Sequence, residues 1–170
     1  MMLSVVGTGL LFITQSNDDK KPEELAQQDK PEDAEDRTCP QLQTPPGAKS
    51  LPLPDIKLPE GDVTELATED LKEGKGDAVK AGAVIEVHYH GVRAVDGCVF
   101  DSSYARGEPA ELGLGQVIQG WQEGIVGMKA GGVRILTIPS DQAYGAQGAG
   151  EVIGPNEDLV FQVELVEIVE

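Results

Sequence analysis

The residues best suited to chemistry lie close together in VFDSSYARGEP, residues 99–109. A strand-like pair, Val99 and Phe100, runs directly into Asp101, which two serines follow. Asp101 is either a turn residue or a carboxylate that faces a pocket. The sequence has no G-x-S-x-G nucleophile elbow and no phosphate-binding glycine loop, despite its 21 glycines. Whether the protein is an enzyme therefore depends on which of these two roles Asp101 has.

One strand segment carries a metal-like pattern. Glu86, His88 and His90 occupy alternate positions of VIEVHYH, so their side chains share one face of a strand. They could reach one ion, but a solvated polar face is the commoner arrangement and the one we expect. Only two cysteines are present, which excludes a Cys-rich zinc site. We therefore expect no metal and no other cofactor.

Aromatic residues are few, and six of the seven lie in the C-terminal part of the chain. Their spacing alone favours an ordinary core. Two of them indicate more than a core. Trp121 follows Gly120 and can lie at the end of a helix, and Tyr144 lies in the glycine-rich loop QAYGAQGAG, where an aromatic side chain is more often displayed.

Alternating apolar residues predict antiparallel strands. In VIEVHYH, Ile85, Val87 and Tyr89 point to one side of a half-buried strand. The Asp96-Gly97 pair that follows is a hairpin signal. VRILTIP and LVFQVELVEI are predicted to be two further strands.

A single helix is predicted from Ile118, Trp121, Ile125 and Met128, whose spacings of 3, 4 and 3 place them on one helical face. Two internal glycines weaken this helix, and the glycine pair at 131–132 ends it. The elements together favour an α+β fold, in which an antiparallel β-sheet of about five strands wraps around one short α-helix.

Composition divides the chain into three parts. Residues 1–17 are apolar and uncharged, which is typical of an export signal or membrane anchor; an apolar strand or a disordered end is the alternative. Residues 18–62 are acidic and proline-rich and are predicted to form a disordered linker. Residues 63–170 form the predicted domain. We expect export to the cell envelope or the extracellular space, with the cytoplasm as the alternative.

Charge and cysteine content bear on partners and location. The net charge of −17 argues against nucleic acid as a partner, because such binding requires a basic surface. If the chain is exported, a disulfide between Cys39 and Cys98 would hold the linker against the domain. In the cytosol both would remain free thiols.

Five motifs occur in the order and spacing of a known family: VHYHG, DGCVFDSS, GQVIQGWQEGIVGMKAGG, IPSDQAYGAQG and LVFQVEL. Through them, residues 64–170 resemble the FKBP-type peptidyl-prolyl cis–trans isomerases. The resemblance implies an antiparallel sheet curled around one short helix, with a pocket between them. It also implies that Asp101 is a pocket carboxylate held by Arg106 and Tyr89.

The resemblance further implies the roles of the pocket residues. Trp121 would form the floor, and the hydroxyl of Tyr144 would bind a substrate carbonyl. The implied catalytic residues are Asp101, Tyr144, Phe100 and Trp121. The implied substrate-binding residues are Tyr89, Arg106, Val117, Ile118, Val152, Ile153 and Phe161.

The implied function is isomerisation of X-Pro bonds in proline-containing polypeptides, which assists protein folding. The protein would act as a monomer, and the family's macrolide inhibitors would be candidate ligands. The alternative is a non-catalytic module that binds proline peptides in the same pocket. It stays open because Ala110, Gly113, Ala149 and Gly154 depart from residues common in the family, which would widen the pocket and loosen its loop.

Overall fold

The computed structural model describes residue 39, residues 41–42 and residues 44–169. The apolar segment 1–17 and the first half of the linker lie outside the described residues. Among the residues that are described, no helix is long and apolar enough to cross a membrane.

Residues 44–169 contain eight strands and two short α-helices. The strands are β1 (Ala67–Lys72), β2 (Lys75–Ala78), β3 (Val84–Arg93), β4 (Val99–Ser102), β5 (Ala110–Gly113), β6 (Lys129–Ala130), β7 (Val133–Ile138) and β8 (Leu159–Ile168). The helices are α1 (Ser103–Arg106) and α2 (Gln119–Gly124). The predicted α+β class is confirmed, with more strands than the sequence indicated and a second short helix.

Six strands form the main antiparallel sheet, in the order β1-β7-β8-β3-β4, and β5 also pairs with β3. The remaining two, β2 and β6, form a small second sheet. β3 is the central strand, because β8 pairs along one of its edges while β5 and β4 share the other. The predicted hairpin is confirmed between β3 and β4, where Gly97 adopts a φ of 73°.

Helix α2 is shorter than predicted. Ile125 is already its C-cap, and Gly127 adopts a φ of 88° that helical backbone does not allow. Met128, predicted on the same helical face, accepts a backbone hydrogen bond from Val79 at 2.8 Å. The expectation that the helix extends to 131–132 is wrong because the chain leaves the helix to pair with Val79.

Two glycines allow α2 to pack closely on β7. A Cβ at Gly120 would lie 2.4 Å from Cγ2 of Ile138, and a Cβ at Gly124 would lie 2.8 Å from Cδ2 of Leu136. The close approach buries Trp121, which is 4% exposed, in the core between helix and sheet. A residue type that weakens a helix by propensity is therefore required here by packing.

The polar face of β3 is solvated only in part, because Glu86 and His88 are half-buried and His90 is buried. His90 is only 3% exposed, and its Nδ1 lies 3.0 Å from the hydroxyl of Ser102. The ring of His88 lies 5.1 Å from that of Tyr104 on α1, which covers this face. Among the described residues, no three His, Cys, Asp or Glu side chains are grouped to hold a metal ion.

The described part of the linker contacts the domain, unlike the disordered segment that was expected. The backbone N–H of Leu51 donates to the carbonyl of Tyr104 at 2.9 Å. The carbonyl of Lys49 lies so close to Gly107 that a Cβ there would be 2.3 Å from its oxygen. Lys49 and Leu51 thus lie against α1 and its cap, while Leu58 lies beside the turn at Gly97.

Candidate active site

Asp101 is held by two side chains, one on β3 and one at the end of α1. Its Oδ2 accepts a hydrogen bond from the hydroxyl of Tyr89 at 2.5 Å. Its Oδ1 accepts one from Nη1 of Arg106 at 2.6 Å, and Nη2 of the same guanidinium donates to the Tyr89 hydroxyl at 2.8 Å. The three groups form a closed polar network, so Asp101 is more than a turn residue.

The short helix α1 returns Arg106 to Asp101. β4 ends at Ser102, one helical turn follows, and Gly107 with a φ of 79° caps it in the left-handed conformation. Ser103 fixes the other partner, because its hydroxyl accepts a hydrogen bond from the backbone N–H of Tyr89 at 2.7 Å. Ser103 was not predicted as a site residue; the second serine after Asp101 was the available signal.

Burial favours the neutral hydroxyl of two tyrosines at the site. Burial, followed by the hydrogen bond to Asp101, raises the pKa of Tyr89 to about 12. The Tyr89 hydroxyl is therefore a permanent donor to Asp101 at neutral pH. Burial also raises the pKa of Tyr144, and the negative charge of Asp101 adds to the effect. Tyr144 therefore lies within electrostatic range of the Asp101 carboxylate.

Aromatic rings form a continuous apolar surface beside this network. Trp121 meets Tyr89 and Phe161 edge to face, with ring centroids 5.6 and 5.3 Å apart. Phe161 in turn meets Phe100 at 5.4 Å in the same geometry. Trp121 and Phe161 are buried, whereas Tyr89 and Phe100 remain half-buried at the edge. The arrangement gives an apolar floor with a polar rim.

Gly91 is a second residue that sequence analysis missed. It lies on β3 opposite Asp101 on β4 and opposite Phe161 on β8. A Cβ at Gly91 would lie 2.7 Å from both Phe100 and Phe161. An isolated glycine inside a strand was the available signal for such a close approach. Its lack of a side chain allows the two rings to meet over the strand.

The remaining predicted residues lie around this floor. Val117, Ile118 and Ile153 pack against the apolar core. Tyr144 is 39% exposed, as its glycine-rich loop predicted. Among the backbone hydrogen bonds of the described residues, the Ile118 carbonyl accepts two at the start of α2, while its N–H donates none. Ile118 therefore offers a free donor at the rim.

Val152 lies in the loop between Tyr144 and β8. Its side chain is half-buried, and its carbonyl accepts a hydrogen bond from Arg93 at 3.2 Å.

Ala149, one of the departures from the family pattern, pairs with Ile153 through two backbone hydrogen bonds of 2.8 and 3.1 Å. The loop between Tyr144 and β8 is thus internally bonded despite its small residues.

The two cysteines meet at the edge of the β3–β4 hairpin. Cys39 and Cys98 form a disulfide with their Cα atoms 5.5 Å apart. It attaches the linker to the turn that precedes Phe100 and Asp101.

Comparison with known proteins agrees with this fold and site. The family described as FKBP-type peptidyl-prolyl cis-trans isomerase matches residues 75–166. The chain is 52% identical over 107 residues to the FK506-binding protein of Neisseria meningitidis serogroup A, covering 62% of this chain and 97% of that protein. It is 47% identical over 120 residues to peptidyl-prolyl cis-trans isomerase FPR2 of Saccharomyces cerevisiae, covering 68% and 83%.

A solved structure shows the same relationship. The peptidyl-prolyl cis-trans isomerase of Pseudomonas syringae pv. tomato matches with a TM-score of 0.57 and 39% identity, over 62% of this chain and 76% of that chain. Fold and sequence therefore define a peptidyl-prolyl isomerase. The chain belongs to the FKBP-type peptidyl-prolyl cis–trans isomerase family.

Proposed function

We propose that the pocket between α2 and the sheet accelerates rotation about X-Pro bonds of polypeptides. The observation that carries the proposal is the network of Asp101, Tyr89 and Arg106 beside the buried indole of Trp121. Family membership supports the reaction, and the network supports its location.

The chemistry follows from the nature of the barrier. Rotation must overcome about 18–20 kcal/mol, because the amide loses its resonance. The twisted C–N bond is less polar than the planar amide, so an apolar and water-poor surface favours it over the ground state. Trp121, Phe100 and Phe161, with Val117 and Ile153, supply that surface. No nucleophile or proton transfer is needed.

Polar groups at the rim orient the substrate. The hydroxyl of Tyr144 and the N–H of Ile118 are donors for the carbonyls that flank the proline. Asp101 faces the rotating amide, and Arg106 with Tyr89 fixes the direction of its oxygens. Groups positioned before the reaction lower the barrier without reorganising during it.

A non-catalytic proline-peptide module is the second candidate. The observation in its favour is Ala110, the half-buried first residue of β5, at a position that is often aromatic in the family. A wider pocket would still bind proline but would enclose the twisting amide less completely.

Location and partners belong to the same proposal. The apolar segment 1–17 and the Cys39–Cys98 pair support export, where a monomeric isomerase would assist folding of proline-containing proteins and could bind family macrolides. Fractionation of cells that produce the full chain tests the location. Recovery in the cytoplasm with both thiols reduced would contradict export.

Matched substitutions in the full chain test the site. Asp101→Asn should lower kcat/KM for X-Pro peptides about tenfold, because it weakens charged hydrogen bonds. Asp70→Asn is its control, because Asp70 pairs with Arg134 at the same 2.6 Å and is 46% exposed against 45% for Asp101. Tyr144→Phe should lower kcat/KM roughly threefold or more through one neutral hydrogen bond.

Tyr104→Phe is the control for Tyr144, because the Tyr104 hydroxyl binds Glu164 at 3.1 Å, outside the pocket. Equal losses in the controls and in the pocket variants would contradict the proposed site. Tight peptide binding by the wild type without turnover would favour the binding module instead.

A further inference from the structure

Arg93 is a buried charge for which the mechanism above has no use. It is the last residue of β3 and is fully buried. Its Nε donates to Oδ1 of Asp96 at 3.1 Å, and its Nη2 also pairs with that carboxylate. Its Nη1 donates to the carbonyl of Val152 at 3.2 Å. The guanidinium thus joins the β3–β4 hairpin to the loop that follows Tyr144.

Glu157 extends this network along the loop. It is 6% exposed, and its Oε1 lies 3.7 Å from Nε of Arg93. Its Oε2 accepts a hydrogen bond from the backbone N–H of Gly154 at 2.5 Å. The carbonyl before Ile153 and the N–H after it are therefore both held by one buried ion pair.

The loop held in this way carries two residues of the site. Tyr144 lies at its start and Ile153 near its end. The N–H of Asn156 closes the loop by donating to the carbonyl of Gly145 at 2.9 Å. The ion pair thus binds backbone groups on both sides of Ile153, within the loop that Asn156 and Gly145 close.

Stability alone does not explain a buried ion pair. Removing two charges from water is costly, and apolar replacements of similar volume are often as stable or more so. What the charges add here is direction, because a guanidinium fork and a carboxylate bind particular backbone groups on both sides of Ile153.

We infer that Arg93, together with Glu157, is a positioning residue that sets Ile153 and Tyr144 for the proline substrate. The inference rests on the proposed function. It predicts that removal of both charges leaves a folded chain whose loop no longer presents these side chains correctly.

The test is the double variant Arg93→Leu with Glu157→Leu in the full chain. We expect kcat/KM for an X-Pro peptide to fall roughly tenfold, mainly through KM, since small misplacements in a site have effects of this size or larger. Amide hydrogen exchange at Ile153 and Gly154 should accelerate, while exchange in β8 stays slow. The melting temperature measures the purely structural effect.

Arg134→Leu with Asp70→Leu is the matched control. Arg134 binds Asp70 through Nε and Nη2 at 2.6 and 2.9 Å, as Arg93 binds Asp96, and its Nη1 donates to the carbonyl of Gly124 at 2.7 Å, away from the loop. It should change the melting temperature without the change in KM. A KM shift of equal size in this control would overturn the inference.

Three results would each overturn the inference: wild-type KM in the Arg93/Glu157 variant, unchanged loop exchange, or activity that simply follows the melting temperature. If the double variant does not fold, Arg93→Lys keeps the charge but loses the fork. It should then show an intermediate KM, and a wild-type KM would again contradict the inference. If the wild type binds proline peptides but does not turn them over, the proposed function fails. The inference is then tested by the peptide affinity of the Arg93/Glu157 variant, which should fall by the same factor.

Discussion

At the scale of single residues, Asp101 resembles another aspartate of the same chain. Asp70 and Asp101 are each bound by an arginine at 2.6 Å and are almost equally exposed. Their surroundings differ, because Asp101 also accepts a hydrogen bond from Tyr89, whose ring touches the indole of Trp121. A carboxylate becomes a functional group here through its neighbours rather than through its ion pair.

The shifted pKa of Tyr89 gives a prediction for alkaline pH. The neutral hydroxyl is favoured in the folded protein, where the pKa is about 12 instead of 10.0. Its contribution to stability is therefore complete below pH 10 and is lost as the pH rises towards 12. The difference in unfolding free energy between wild type and Tyr89→Phe should shrink by up to roughly 2 kcal/mol across that interval.

Urea unfolding at stepped pH measures this difference. Tyr104→Phe is the control, because burial together with Glu164 also raises the pKa of Tyr104 to about 12. For both variants, the difference in unfolding free energy from the wild type should shrink in the same pH interval. Only Tyr89→Phe should also reduce kcat/KM. A difference between wild type and Tyr89→Phe that stays constant from pH 9 to 12 would contradict the assigned environment.

At the scale of elements, helix α2 shows propensity and packing in opposition. Alanine is favoured over glycine in a helix by about 1 kcal/mol, so propensity predicts that Gly120→Ala stabilises the protein. The added Cβ would lie 2.4 Å from Ile138, so packing predicts the reverse. We expect a net destabilisation of about 1–3 kcal/mol, because overpacking forces the helix away from β7.

Thermal unfolding of Gly120→Ala measures the balance, and Gly115→Ala is the control. A Cβ added at Gly115 would meet no atom within 4 Å, and its φ is not positive, so alanine there should be nearly neutral. If Gly120→Ala were as stable as the wild type, the close contact between α2 and β7 would be wrong.

Local patterns predicted elements whose signal lies within a few residues. The Asp96-Gly97 hairpin follows from its turn chemistry, and the alternation of β3 and β8 follows from burial of one face. The end of α2 could not be predicted in this way. Met128 fits the helical spacing, but its backbone pairs with Val79, about fifty residues away in sequence.

The site residues also divide into those that the sequence predicted and those that it did not. Its aromatic and charged members were predicted through motif order, because these residue types stand out within each motif. Arg93 was missed because nothing near it in sequence indicates burial; its partners Val152 and Glu157 come from a distant loop. Gly91 was missed because its importance lies in two rings that approach from other strands.

At the scale of the whole molecule, the disulfide connects the linker to the hairpin beside the site. Cys39 and Cys98 are 59 residues apart in sequence. Closing a loop of that length in the unfolded chain should stabilise the protein by about 4 kcal/mol. Reduction should therefore lower the urea midpoint of the full chain markedly.

The control is Cys39→Ser with Cys98→Ser, whose midpoint should match that of the reduced wild type and should not respond to reductant. Equal midpoints for the oxidised and reduced wild type would show that the link does not contribute to stability.

The proposed function places X-Pro rotation on the surface of Trp121, and this residue provides its own reporter. It is the single tryptophan of the chain, so its indole N–H gives one NMR signal from the floor of the pocket. The decisive measurement follows that signal and the cis–trans exchange rate of one X-Pro peptide in the same titration of the full chain. We predict that the indole signal shifts as the peptide binds and that the exchange rate rises in proportion to the concentration of the protein. A shift without faster exchange, or faster exchange without a shift, would contradict the account.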